Sequence, residues 1–102
     1  MTIQENAVHD VIGERHRQDD KWGEQNNDPF TYLTVLMEEV GELAQAALHM
    51  KYGGRASENL RAEAIHTAAV ALAIVECIDR DKWQWPGRKP RPSPPRRGRV
   101  EG

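Results

Sequence analysis

Residues 62–75 read AEAIHTAAVALAIV, and the architecture of the chain depends on how this segment is covered. Its polar residues are Glu63, His66 and one threonine, so a helix drawn through it is apolar on nearly every side. A helix that is apolar almost all round is mostly buried in its protein. We therefore predict a buried third helix over residues 58–80, with Ser57 as its N-cap.

A second helix is predicted upstream, over residues 29–50. Asp28 precedes it as a candidate N-cap, and Pro29 takes the first helical position, where proline is favoured. The glycine pair at 53–54 ends the helix and opens a loop. The apolar face of this helix consists of Leu33, Leu36, Met37, Val40, Leu43, Ala44 and Ala47.

A first helix is predicted over residues 2–20, and the polar segment KWGEQNND at 21–28 interrupts it. Its apolar side chains recur at helical spacing with charged side chains opposite, and they are Ile3, Ala7, Val8, Val11 and Ile12. The alternation of polar and apolar residues that is typical of a half-buried strand does not occur in the sequence. The sequence therefore predicts an all-α helical bundle, which the chain closes alone or with helices from a second copy.

The chain divides into a helical domain, residues 1–85, and a basic Pro/Arg-rich tail, residues 86–102. Residues 86–99 read PGRKPRPSPPRRGR and offer no apolar side chain to bury, so we expect a disordered or polyproline II tail. Alternative roles for it are a PxxP docking peptide and a nucleic-acid-binding arm. A helical domain of this size buries only about 60% of the surface that its unfolded chain exposes, so it is marginally stable alone. Oligomerisation would bury more surface.

Composition narrows the class of protein. The 102 residues suit one domain, and no stretch approaches the ~18 consecutive apolar residues of a membrane-spanning helix. The polar N-terminus does not resemble a signal peptide, and Cys77 is alone, so a cytoplasmic protein without disulfides or a cysteine zinc site is expected. Residues 1–86 carry a net charge of −7 and the remainder +5, and the acidic body does not suit a nucleic-acid surface.

A cluster of carboxylates lies on the second helix, where residues 38–42 read EEVGE. Glu39 and Glu42 are separated by three positions and Glu38 and Glu42 by four, so all three project from one sector of the helix. Like charges at this spacing do not stabilise a helix. The cluster is either a solvated face or a set of ligands for a cation.

Glu63 and His66 share one face of the apolar third helix, three positions apart. A buried carboxylate needs a partner, and a metal ion that the second-helix carboxylates also bind would supply one. Oxygen ligands with one imidazole suit Mg²⁺ or Mn²⁺, and such a centre is a setting for phosphate-ester chemistry. Alternatively, Glu63 pairs with Arg61 or His66, or it faces solvent.

These motifs resemble those of the MazG-like all-α NTP pyrophosphohydrolases, whose pattern is EExxE, a spacer and ExxD on an apolar helix. The matching residues are Glu38 to Glu42, a spacer at 43–62, and Glu63 to His66. EVGELAQA and AAVALAIVE are similar to the second and third core helices of the family. ERHRQDDKWGEQN, at 14–26, is similar to the lead-in of a subgroup from phages and bacteria. The resemblance covers residues 8–80.

The resemblance implies a function and a set of site residues. The family binds Mg²⁺ and cleaves nucleoside triphosphates between the α- and β-phosphorus, which yields the monophosphate and pyrophosphate. Glu39, Glu42 and Glu63 match its metal ligands, and Glu38 matches a glutamate that orients the attacking water. His66 stands where the family has Asp, so it either ligates the metal, with Mn²⁺ favoured over Mg²⁺, or contacts a phosphate. The family assembles as homodimers or homotetramers.

Substrate-binding candidates lie outside these motifs. Lys21, Lys51 and Arg55 are bases that would neutralise triphosphate charge, unless they are solvated surface residues. Trp22 either stacks on a nucleobase or packs against the end of the first helix. The predicted protein is thus a metal-dependent nucleoside triphosphate pyrophosphohydrolase. The alternatives are a non-catalytic nucleotide- or metal-binding helical module and a structural helical interaction domain.

Overall fold

The computed structural model describes residues 1–53 and 57–82, which form three α-helices and no strand. They are α1 (Ile3–Trp22), α2 (Pro29–Lys51) and α3 (Ser57–Asp79). The all-α prediction is confirmed for this part of the chain, and each helix boundary lies within two residues of its predicted position. The predicted tail, residues 86–102, lies outside the described residues.

Local capping explains where the first two helices begin. The Asp28 carboxylate accepts a hydrogen bond of 2.9 Å from the Thr31 backbone N–H, and Pro29 is the first residue of α2, as predicted. Helix α1 begins with a capping box that is not among the predicted caps: the Thr2 hydroxyl accepts from the Glu5 N–H, and the Glu5 carboxylate accepts from the Thr2 N–H.

Helices α1 and α2 are each followed by a glycine whose φ angle is positive. Gly23, with φ of 76°, follows α1 and donates its N–H to the Asp19 carbonyl at 2.8 Å. Gly53, with φ of 95°, lies two residues beyond the end of α2, while Gly54 and Arg55 lie outside the described residues. Only glycine adopts such angles without steric cost, so both helices end where the sequence predicts a break.

Helix α3 packs against both α1 and α2. No Cα atom of α1 lies within 8 Å of a Cα atom of α2, and both of these helices are described along their whole length. The hydrophobic side chains buried in the described part of the chain are few, and they are Tyr32, Ala69, Val70 and Cys77. The outer helices are therefore held by their contacts with α3 and by a small core.

Helix α3 is predicted to be mostly buried, and in the single chain one of its sides is exposed. Ala64, Ala68, Ala71 and Val75 form an exposed line along it, and half of the Val75 surface is accessible to solvent. The reason is geometric, because a helix with two neighbours leaves a third side uncovered. This line is called the open face of α3 below.

The apolar faces of α1 and α2 are also only partly covered. In α1, Ala7 and Val11 are half-buried, but Ile3, Val8 and Ile12 are exposed. In α2, the half-buried members of the predicted face are Leu36 and Leu43, and the exposed ones are Leu33, Met37, Val40, Ala44 and Ala47. Each predicted apolar face is therefore wider than the strip that contacts α3.

A buried ion pair joins α1 to α3. The Arg15 side chain is only 9% exposed, and its guanidinium donates from two nitrogens to the two carboxylate oxygens of Glu76, with Nε at 3.2 Å from Oε2. Its other hydrogen bonds go to Gln18 and Asp19 on its own helix, at 3.1 Å each. Bidentate pairs between arginine and a carboxylate are the stronger and more directional kind.

The loop between α1 and α2 is fixed from two sides. Arg80, just beyond α3, donates to the Asn26 side-chain oxygen at 3.0 Å and to the Gln25 carbonyl at 3.1 Å. The buried Tyr32 hydroxyl donates to the same Gln25 carbonyl at 2.6 Å. This loop is thereby held against the end of the bundle that carries Trp22.

Removing the carboxylate that faces Arg15 should destabilise the protein. We expect Glu76→Ala to lower the free energy of unfolding by about 1–3 kcal/mol, because it leaves a buried guanidinium without its main acceptor. Urea denaturation measures the change, with Asp20→Ala as a matched loss of an exposed carboxylate on α1. Equal stability of the two variants would show that the ion pair does not hold α1 on α3.

Candidate metal centre

Three potential metal ligands converge between α2 and α3. They are Glu39 on α2 and the pair Glu63 and His66 on α3, and one ligand atom from each lies within 4.8 Å of the other two. The spacing of three residues places Glu63 and His66 on one face of α3, and the packing of the two helices brings Glu39 opposite them. We call these three residues the ligand cluster.

The imidazole of His66 faces both carboxylates through the same nitrogen. Its Nδ1 is 3.6 Å from Oε2 of Glu63 and 4.0 Å from Oε1 of Glu39. Both of these oxygens are buried, and neither has a hydrogen-bond partner among the described residues. Buried polar atoms are normally paired, so the two oxygens and the imidazole nitrogen fit a divalent cation that all three would bind.

Charge and burial act together on Glu39. Burial raises the pKa of this carboxyl above its ordinary value of 4.5, and the negative charges of Glu42, Glu63 and Glu14 raise it further, while His66 acts in the opposite direction. A carboxyl that is costly to ionise and lies beside other carboxylates is a candidate functional group. A cation would remove this repulsion.

A fourth side chain, Glu14 of α1, reaches the cluster from the other side of the imidazole. Its Oε2 lies 3.9 Å from Nε2 of His66, and its side chain is only 11% exposed. Glu14 is not among the predicted site residues, although it lies three positions after Val11 on the side of α1 that packs against α3. Extending the half-buried stripe of Ala7 and Val11 by helical spacing would have found it.

Two of the predicted substrate-binding residues lie beside the cluster. A cavity of about 200 Å³ is lined by Glu14, Arg17, Gln18, Lys21, Trp22, Glu39 and His66. The Lys21 ammonium lies 4.9 Å from the centroid of the Trp22 ring, and Trp22 is 61% exposed. The indole is therefore open to solvent beside the cluster and does not plug the end of α1.

A second cavity, of about 160 Å³, shares Gln18, Trp22 and Glu39 with the first. The α1–α2 loop contributes Gln25 and Asn27 to its wall, so amide groups and an indole line a space next to the ligand cluster. The sequence does not predict this second cavity, because its wall combines residues from all three helices and a loop.

The remaining predicted site residues are not brought into the ligand cluster. Glu38 is exposed and lines a groove on α2 with Phe30, Leu33, Thr34 and Met37. Glu42 is exposed one turn beyond Glu39. Lys51 ends α2, with its ammonium 5.4 Å from the Tyr52 ring, and Arg55 lies outside the described residues.

One of the open alternatives for Glu63 can be decided. Arg61 donates to the Asp10 carboxylate at 2.7 Å, so it is engaged with α1 and does not neutralise Glu63. The His66 imidazole lies 3.6 Å from the buried Glu63 oxygen, and no hydrogen bond joins the two.

Comparisons of the chain with models of known families, with curated proteins and with solved structures found no match. The resemblance to the MazG-like family therefore rests on the sequence motifs alone. Among the described helices, none combines the length and the apolar character needed to cross a membrane.

Neutralising Glu39 should stabilise the metal-free protein. The folded-state pKa of Glu39 is raised above 4.5, so the folded state binds this proton more tightly than the unfolded state does. The free energy of unfolding therefore falls as the pH rises from 4.5 through the folded-state pKa. We expect Glu39→Gln to unfold at a higher urea concentration than wild type at pH 7, and the difference to shrink towards pH 4.5.

The measurement is urea denaturation with a chelator at both pH values, with Asp20→Asn as the control for loss of an exposed carboxylate. A Glu39→Gln variant that is less stable than wild type at neutral pH would contradict this account of the cluster.

Proposed function

We propose that this chain is a metal-dependent nucleoside triphosphate pyrophosphohydrolase that cleaves between the α- and β-phosphorus and releases the monophosphate and pyrophosphate. The proposal is carried by one observation. Two buried carboxylate oxygens, on Glu39 and Glu63, have no hydrogen-bond partner in the described part of the chain and face the same imidazole nitrogen of His66 from two helices. The family resemblance of the motifs supplies the choice of reaction.

Glu39, Glu63 and His66 are the residues that would hold the ion, and Glu42 is one turn away to complete its acidic surroundings. Mg²⁺ suits the carboxylates, and the imidazole adds affinity for Mn²⁺. When bound, the ion supplies positive charge that binds phosphate oxygens and stabilises the charge that develops on them.

Lys21 and Arg17 would complement the triphosphate, since both line the cavity that contains Glu39 and His66. Lysine and arginine bind phosphate by charge-assisted hydrogen bonds. Trp22, exposed in the wall of the same cavity, offers an aromatic face to the nucleobase. Lys51 and Arg55 remain predicted phosphate ligands from the sequence.

Water attacks one phosphorus in line with the bond that breaks, and pyrophosphate leaves. The resemblance assigns the orientation of this water to Glu38. In the single chain Glu38 lies on the groove of α2 beside Met37, so this role stays a prediction that depends on how that groove is covered.

A homodimer or homotetramer is part of the proposal. Phe30, Leu33 and Met37 are 59%, 46% and 62% exposed on one side of α2 and line an open groove of about 500 Å³ with Glu38. Contiguous exposed apolar side chains of this kind mark interaction surfaces. Association of copies through α2 would cover these side chains, and the proposed setting for the assembly is the cytoplasm.

A non-catalytic metal- or nucleotide-binding module is the second candidate. The position of Glu38 outside the ligand cluster favours it, because a site without a group to orient water binds but turns over slowly. The third candidate is a structural interaction domain, which requires no metal. The single observation that favours it is the exposed apolar side of α2.

A panel of nucleoside triphosphates with Mg²⁺ or Mn²⁺, scored by pyrophosphate release, tests the proposal. We expect release to require metal, and millimolar metal to raise the melting temperature because it binds the folded state. Glu63→Ala should abolish both effects, while Glu38→Ala should reduce turnover more than metal binding. His66→Asp should shift the preference from Mn²⁺ towards Mg²⁺.

The outcomes separate the candidates. Metal binding without pyrophosphate release from any nucleotide selects the binding module. A melting temperature that moves with neither metal nor nucleotide excludes the hydrolase and the binding module and leaves the interaction domain. Asp20→Asn, an exposed acid-to-amide change on α1, is the control that should behave as wild type.

Assembly has its own test. Light scattering should give a mass above that of the 11.6 kDa monomer at micromolar concentration, and Met37→Glu should return the protein to the monomer because it places a charge in the apolar groove. His16→Glu adds the same charge to an exposed position on α1 and should not change the mass. A monomeric wild type would contradict the proposed association.

A further inference from the structure

The His66 imidazole lies between carboxylates on both of its nitrogens. Nδ1 faces Glu39 and Glu63 at 4.0 and 3.6 Å, and Nε2 faces Glu14 at 3.9 Å. The three carboxylates come from three different helices, so side chains of α1, α2 and α3 all meet at the imidazole ring. The two sides are not equivalent. The Glu14 carboxylate on the Nε2 side accepts hydrogen bonds from other side chains, whereas the two oxygens on the Nδ1 side have no hydrogen-bond partner among the residues that the structure describes.

Glu14 is held in place by other side chains. Arg17 donates to both of its oxygens at 2.7 Å, and Gln18 donates to Oε2 at 3.3 Å. Gln18 is itself fixed by a hydrogen bond of 3.1 Å from the buried Arg15. A chain of hydrogen bonds therefore runs from the ion pair between Arg15 and Glu76 to the carboxylate beside His66.

The difference between the two sides of the His66 ring matters because the two nitrogens of a neutral imidazole have different roles. One ring nitrogen carries a proton and the other a lone pair, and a metal ion takes the lone pair. A carboxylate only accepts hydrogen bonds, so it favours the form that carries the proton on the nitrogen facing it. A carboxylate on the second nitrogen is the usual means of orienting a metal-binding histidine.

We propose that Glu14 is a positioning residue that holds the Nε2–H of His66 and directs the Nδ1 lone pair to the ion bound by Glu39 and Glu63. The inference rests on the proposed metal site. The distance of 3.9 Å exceeds a hydrogen bond, as contacts in unliganded sites commonly do before they tighten on binding. In a chain with Asp at position 66 no orienting group would be needed, because a carboxylate has no proton to place.

A double-mutant cycle tests this role with Mn²⁺ alone and without substrate. Calorimetry measures Mn²⁺ affinity for wild type, Glu14→Ala, His66→Asp and the double variant. We expect Glu14→Ala to lower the affinity of the wild type by about 10–100-fold, the usual effect of removing such an orienting carboxylate. In the His66→Asp background, Glu14→Ala should lower the Mn²⁺ affinity much less, because its remaining effect is the loss of one negative charge at a distance from the ion.

Two further variants control the cycle. Glu14→Gln keeps an oxygen that accepts from Nε2–H, so it should retain more affinity than Glu14→Ala. Asp20→Ala removes an exposed carboxylate from the same helix and should match the wild type. Circular dichroism melting of each metal-free variant verifies that it folds.

A second readout is independent of affinity. Nitrogen-15 NMR of labelled histidine with Zn²⁺, a diamagnetic probe, should show Nδ1 as the bound nitrogen of His66 in wild type and a changed ring signal in Glu14→Ala. Equal affinity losses in the two backgrounds, or coordination through Nε2, would overturn the role of Glu14 and leave the metal site intact. A wild type that binds no Mn²⁺ would instead overturn the proposed function.

Discussion

The central position of α3 is the constraint on which the other features of this structure depend. No Cα atom of α1 lies within 8 Å of a Cα atom of α2, so the two outer helices are placed mainly by their packing against α3. A side chain of α3 that lies where its two contact surfaces adjoin can therefore meet side chains from both outer helices. His66 does this, and the ligand cluster exists because two packing surfaces of one helix adjoin at that residue.

The contact between α1 and α3 includes buried and half-buried polar side chains. Burying Arg15, Glu14 and Gln18 costs free energy unless their hydrogen bonds are satisfied, and here they bond to one another and to Glu76. Of these bonds, the two from Arg15 to Glu76 cross from α1 to α3, and they restrict how α1 is rotated and how far it slides along α3. The same network ends at Glu14, whose Oε2 lies 3.9 Å from Nε2 of His66, so the packing of α1 bears on the geometry of the candidate metal centre.

The small core and the exposed apolar surfaces are two aspects of one arrangement. Three helices with a central α3 leave one side of α3 and much of α2 uncovered, and the apolar side chains that would enlarge a core lie there. The exposed groove on α2 includes Glu38, a residue for which the motif resemblance implies a role in catalysis. Association of copies would thus bear on both the stability of the fold and the completeness of the site.

Local sequence rules were sufficient for the helices and for one half of the candidate site. Asp28 and Pro29 mark the start of α2, and the spacing of Glu63 and His66 places both on one face of α3, because these depend on neighbours along the chain. Packing decided that Glu39, rather than Glu38 or Glu42, faces them. It also brought Glu14 to the imidazole and left the open face of α3 exposed. Spacing sets the angle between residues within a helix, whereas the rotation of one helix against another depends on contacts between residues far apart in the chain.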